Sequence, residues 1–129
     1  MTAPRQIEID LAPAASSVAD ARARLEPLRG LVDDTRLEDL RLLISEVVTN
    51  SIRHAELGPS DAVHVRVSAG PACVRAEILD AGPGFLAPAR DPVAGAASGW
   101  GLYLVERVAD RWGVDRSNGY TRVWFELDR

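Results

Sequence analysis

The stretch TRLEDLRLLISEVVTNSIRH, Thr35 to His54, decides how the rest of the chain is read. Leu37, Leu40, Leu43, Ile44, Val47 and Val48 recur at three- and four-residue spacing, which makes a wide apolar stripe on one side of a helix. Thr35 and Glu38 have the spacing of a capping box, so the helix is expected to begin near Thr35. Gly58 and Pro59 supply a stop beyond it.

Upstream, Ile7, Ile9 and Leu11 alternate with Gln6, Glu8 and Asp10, the pattern of a half-buried strand that Pro13 ends. Ser16 or Ser17 is placed to cap a helix carrying Val18, Ala21, Leu25 and Leu28. Pro27 should kink or end it near Glu26, and Gly30 closes the segment. Downstream, Val63, Val65 and Val67 alternate with His64, Arg66 and Ser68. After the turn signal Gly70-Pro71, Val74, Ala76 and Ile78 alternate with Cys73, Arg75, Glu77 and Leu79. Asp80 falls in phase with the apolar set, so a carboxylate ends that strand on its buried face, where it needs a partner.

Residues 81–98 follow neither period and are rich in Gly, Pro and Ala, which predicts a lid or binding loop. A third helix is expected from about Gly101 to Arg111, with Ser98 or Gly99 near its cap and Leu102, Val105, Val108 and Ala109 on its apolar side. Gly113 stops it, and a hairpin through Asn118-Gly119 leads to a last strand with Thr121, Val123, Phe125 and Leu127 on one face. The order predicts an α/β chain built as a two-layer α+β sandwich. Its sheet is mixed, mostly antiparallel, and covered on one face by helices. One domain over residues 1–129 is expected.

Composition removes several chemistries. All 15 basic side chains are arginine. Without lysine there is no P-loop, no phosphate-pairing lysine of the ordinary protein-kinase kind and no Schiff-base enzyme. One cysteine, Cys73, permits neither an internal disulfide nor a Cys-x-x-Cys site; a reduced, buried thiol is expected. His54 and His64 do not form an HExxH helix; His54 suits a helix end and His64 an exposed strand face. The net charge of −4 argues against general nucleic-acid binding. No signal-peptide core or membrane-length apolar run occurs, so a cytoplasmic protein with no membrane contact is expected.

Three short groups carry the candidate chemistry. Glu46 and Asn50 lie four apart and project from one helix face, beside the apolar stripe. They are either a solvated helix edge or a divalent-metal and general-base pair. Mg²⁺ takes few protein oxygens and completes its shell with water and phosphate, and an Asn carbonyl suits it. Asp80-Ala81-Gly82-Pro83-Gly84 is either an ordinary turn or a place where backbone approaches a ligand beside a carboxylate able to accept from a purine amino group. Ser98-Gly99-Trp100-Gly101 opens a helix, as a plain cap or as a phosphate-receiving N-terminus. Thr121 is either a tolerated strand former or a hydroxyl in the network around Asp80.

Together, Glu46-x-x-x-Asn50, Asp80-x-Gly82-x-Gly84 and Gly99-x-Gly101-Leu102 resemble the three nucleotide-binding boxes of the GHKL ATPase superfamily. The resemblance spans the chain and is strongest to bacterial anti-sigma factor serine/threonine kinases of the actinobacterial type. It implies a Bergerat ATP-binding fold. Asn50 would coordinate Mg²⁺, Glu46 would act as general base, and Asp80 would receive the adenine amino group. Gly82 and Gly84 would shape the pocket. Ser98, Gly99, Gly101 and Leu102 would belong to the phosphate-facing helix start, and Thr121 would lie near adenine. The implied partners are an anti-anti-sigma protein with a STAS fold and a sigma factor, with no direct nucleic-acid contact and a homodimer as the expected assembly. Three rivals follow: a non-catalytic ATP-binding regulatory interaction module, a histidine kinase catalytic domain, and an interaction domain without nucleotide. The histidine kinase would need a helical phosphoacceptor segment upstream, where only a strand and one kinked helix are read.

Overall fold

The computed structural model describes residues 5–54, 61–80, 100–117 and 120–129. Five strands form one sheet: β1 (Arg5–Leu11), β2 (Val63–Ala69), β3 (Cys73–Asp80), β4 (Arg111–Ser117) and β5 (Tyr120–Asp128). Their order is β1-β2-β3-β5-β4, and every pairing is antiparallel. The parallel component that a mixed sheet would hold does not occur among the described strands. The three α-helices are α1 (Ser16–Ala23), α2 (Asp34–His54) and α3 (Trp100–Val108).

Period-two alternation sorts each strand between two environments. Ile9, Leu11, Val63, Val65, Val67, Val74, Ala76, Ile78, Val123, Phe125 and Leu127 are buried beneath the helices. From above, α2 lowers Leu37, Leu40, Leu43, Ile44, Val47 and Val48 into the same core, and Leu102 and Val105 join it from α3. The other sheet face carries Arg66, Arg75, Glu77 and Glu126; Arg66–Glu77 and Arg75–Glu126 pair across neighbouring strands, and Arg75–Glu77 pairs along β3.

Several boundaries differ from the sequence expectation, each for a physical reason. Neither Ser16 nor Ser17 caps α1. Ala15 holds the cap position without a side-chain bond, and Ser17 Oγ donates back to the Ala12 carbonyl at 2.8 Å. The helix stops at Ala23 because the Pro27 ring would meet that residue's carbonyl; the chain continues as a 3₁₀ turn over Glu26–Leu28. Gly30 then adopts φ +89°, a left-handed conformation that suits glycine. Asp33, not Thr35, caps α2: the Arg36 amide donates to Asp33 Oδ1 at 2.9 Å. At its far end α3 stops at Val108, short of Arg111. The Asp110 amide already donates to the Glu126 carbonyl at 2.9 Å, so strand pairing captures the chain first. Cys73 is half-buried on the face of Arg75 rather than a core thiol. Ser117 pairs with Tyr120, as a two-residue link requires, while Asn118 and Gly119 lie outside the described residues.

Candidate functional site

Among the described residues, six polar or charged ones are buried: Ser17, Ser45, Asn50, Ser51, Asp80 and Thr121. Two of them are settled by nearby backbone. Ser17 donates to Ala12, and Ser45 Oγ donates to the Arg41 carbonyl at 2.6 Å. The other four divide between the sheet and α2. Asp80 is the last residue of β3, directly opposite Thr121 on β5 and Val63 on β2. Helix α2 packs over β2, β3 and β5, and Asn50 and Ser51 lie in its last turns.

Burying four polar side chains together in a small domain is costly unless something satisfies them. Asp80 and Thr121 are each 2% exposed and face the helices. The Asn50 side-chain nitrogen and the Ser51 hydroxyl are buried and meet no hydrogen-bond partner among the described residues. Glu46, one turn before Asn50, is half-buried. The end of the sheet therefore presents a carboxylate, an amide and two hydroxyls to whatever enters between sheet and helix.

Asp80 and Thr121 stand opposite each other on β3 and β5, and Glu46 and Asn50 lie one turn apart on α2. Leu102 is a core residue in the first turn of α3, 1% exposed, and α3 packs on α2. Gly101 is the second residue of α3. Gly82, Gly84, Ser98 and Gly99 lie outside the described residues. Sequence reasoning missed Ser51. Its signal was present: Ser51 follows Val47 by four and Ile44 by seven, in phase with the buried stripe of α2.

The Asn50 side chain carries the kind of oxygen a hard cation takes, one helical turn from the Glu46 carboxylate, while its buried nitrogen is a donor without a partner among the described residues. No cluster of three His, Cys, Asp or Glu suited to a metal occurs among the described residues. A metal held here would draw most of its ligands from phosphate and water.

The resolved pKa displacements lie on surface ion pairs. Hydrogen bonds from Arg29 and Arg41 hold Glu26 below the usual carboxylate value. Arg111, with Arg75 adding to it at Glu126, does the same for Glu126 and Asp128. His64 is half-buried between Asp10 (2.5 Å) and Glu8 (3.3 Å), so it ties β2 to β1 rather than standing free on an exposed face. A shallow cavity of about 310 Å³ opens on the helix-free face, lined by Leu79, Asp115, Tyr120 and Arg122. Its charges neutralise each other, Arg122 donating to Asp115 at 2.5 Å, and its strand residues point away from Asp80 and Thr121.

Among the described residues no helix is long and apolar enough to cross a membrane. A search of curated proteins finds no match. Among solved structures, the chain is similar to the histidine kinase domain of the blue-light-activated histidine kinase from Erythrobacter litoralis. The two share 20% identity at a TM-score of 0.61, over 98% of this chain and 68% of that one, which is a likeness of fold. The sequence profile of the histidine kinase-like ATPase domain matches residues 11–127. With its five-stranded antiparallel sheet under three helices, the chain belongs to that family and is an ATP-binding domain of the GHKL type.

Proposed function

We propose that this domain, acting as one unit over residues 1–129, is a cytoplasmic serine/threonine kinase and anti-sigma factor. It transfers the γ-phosphoryl group of ATP to a hydroxyl on a STAS-fold anti-anti-sigma partner, and it sequesters a sigma factor when that partner is phosphorylated. The observation that carries the reading is the burial of Asn50 on α2 and of the opposed pair Asp80 and Thr121 on the sheet that α2 covers, with Glu46 one turn from Asn50. The sequence resemblance to anti-sigma factor kinases supports the choice of partners, the homodimer and the absence of nucleic-acid and membrane contact.

Each residue has a distinct task. Asp80 accepts a hydrogen bond from the adenine amino group, and Thr121 beside it supplies a hydroxyl to the same base. Asn50 offers its side-chain oxygen to Mg²⁺, which when bound neutralises phosphate charge. Gly82 and Gly84 shape the pocket, while Ser98, Gly99 and Gly101 lead into the N-terminus of α3, whose amides suit phosphate. Glu46 takes the proton from the acceptor hydroxyl. That oxygen then bonds to the γ-phosphorus as the bond to the bridging oxygen breaks and ADP leaves. A hydroxyl acceptor must shed a proton, and Glu46, half-buried one turn from Asn50, is the carboxylate assigned to receive it.

A second reading is favoured by one feature. Arg90 is the only basic residue between positions 85 and 98, so donors to the transferring phosphoryl are few. The domain would then bind ATP to order a partner surface without transferring phosphate. Radiolabelled ATP with the STAS protein encoded nearest this gene separates the two. Label should reach the partner, and Glu46→Ala should slow transfer roughly 10²–10⁴-fold with little change in ATP affinity. ATP binding without any transfer would leave the binding-module reading.

A further inference from the structure

A helical serine commonly turns its hydroxyl back to the carbonyl four residues earlier. Ser45 does so, donating to Arg41 at 2.6 Å. Ser51 lies in the same helix and is 1% exposed, yet its hydroxyl bonds to nothing among the described residues. Alanine would occupy that helical position at no conformational cost and would bury no polar atom. A buried hydroxyl with no partner among the described residues points to a group that arrives from outside.

Placement says which group. One residue beyond Asn50, Ser51 is rotated about 100° around the helix axis. Asn50 and Glu46 lie on the flank of α2, whereas Ser51 follows Ile44 and Val47, which face the sheet. Asp80 and Thr121 rise from that sheet toward the helices. Ser51 on the sheet-facing side of α2 and Asp80 on the helix-facing side of the sheet would border a flat base entering between the layers. Adenine carries an amino donor flanked by two ring acceptors, N1 and N7. A carboxylate only accepts, so it answers the amino group and leaves a ring nitrogen in need of a donor.

We propose that Ser51 reads the base: its hydroxyl donates to N1 or N7 of adenine while Asp80 accepts from the amino group. The proposal rests on the ATP-site reading above. It assigns a specificity role to a residue outside the three sequence boxes.

Calorimetry with Mg-ATP, 1-deaza-ATP and 7-deaza-ATP on wild type, Ser51→Ala and Ser51→Cys, paired with thermal melts without nucleotide, tests it. Ser51→Ala should melt at or above the wild-type temperature without nucleotide, because it removes an unanswered polar atom. It should bind ATP about tenfold more weakly. With the analogue that lacks the contacted nitrogen, wild type and Ser51→Ala should bind alike. Ser51→Cys keeps the volume with a weak donor and should lose affinity as alanine does. Equal ATP affinity of wild type and Ser51→Ala overturns the inference. So does a penalty that persists with both analogues, full affinity in Ser51→Cys, or a lower melting temperature of Ser51→Ala without nucleotide. In each of those cases wild-type ATP binding, and with it the ATP-site reading, stands. A wild type that binds no nucleotide removes that reading itself, and the inference with it.

Discussion

Gly113 lies under the indole of Trp124. A Cβ at that position would stand 2.7 Å from the indole nitrogen. Above the same ring sits the Arg75 guanidinium, 4.5 Å from the centroid, so the indole is held between an arginine and a bare backbone. Gly113→Ala should destabilise the fold by about 1–3 kcal/mol through overpacking, measurable by urea unfolding. Trp124→Leu in the same background should recover part of the loss. At Asp80 the consequence is chemical. Asp80→Asn replaces an acceptor-only group with one that also donates, and ATP affinity should fall roughly 10–100-fold by calorimetry while the melting temperature without nucleotide changes little. Asp80 and Thr121 were legible in the sequence because period two fixes which side of a strand each residue takes. Ser51 was less visible, since a small residue in a buried helical stripe reads as packing until its hydroxyl is seen to lack a partner.

At the scale of elements, α2 does two jobs. Its stripe covers the sheet, and its last turns supply Glu46, Asn50 and Ser51. The register of those turns depends on where the helix starts. Asp33 sets that start by accepting from the Arg36 amide. Asp33→Ala should cost about 1 kcal/mol, seen as a lower urea midpoint, and Thr35→Ala should cost less because Thr35 is not the cap. Asp33 stands two residues before the expected Thr35, and the choice between neighbouring capping side chains is decided by the incoming chain, here the turn after Gly30. The end of α1 was legible at Pro27, because a missing N–H and a ring clash act locally. The end of α3 was not, because the Glu126 carbonyl that captures Asp110 comes from a strand 16 residues later.

Among the described residues, the ion pairs other than those of His64 all run through arginine. Arg111 donates to both Glu126 and Asp128, and Arg75 reaches Glu126 from the neighbouring strand. These carboxylates have folded pKa values below their ordinary ones. Their stabilisation is therefore complete above the usual carboxylate range near about pH 4 and is lost as pH falls through the lower folded values. Arg111→Ala should flatten that acid limb. The drop in urea midpoint between pH 7 and pH 3 should be smaller in the variant than in wild type. The sheet order itself was only partly legible. Alternation gives each strand a face, but the placing of β5 between β3 and β4 comes from long-range pairing that local pattern does not encode.

The register of the sheet also fixes which way the molecule points. Arg5 pairs with Ala69, Ala69 with Val74, and Asp128 with Cys73, so both described chain ends leave from the rim opposite Asp80 and Thr121. Arg129 secures that rim, donating to the Gly70 and Leu31 carbonyls. About seven strand residues, roughly 23 Å, lie between that rim and the buried polar cluster. A tether, tag or surface attached through either described end holds the molecule by that rim and leaves the end with Asp80 and Thr121 pointing outward. Immobilising it by the first or the last residue should therefore preserve access to the site equally well.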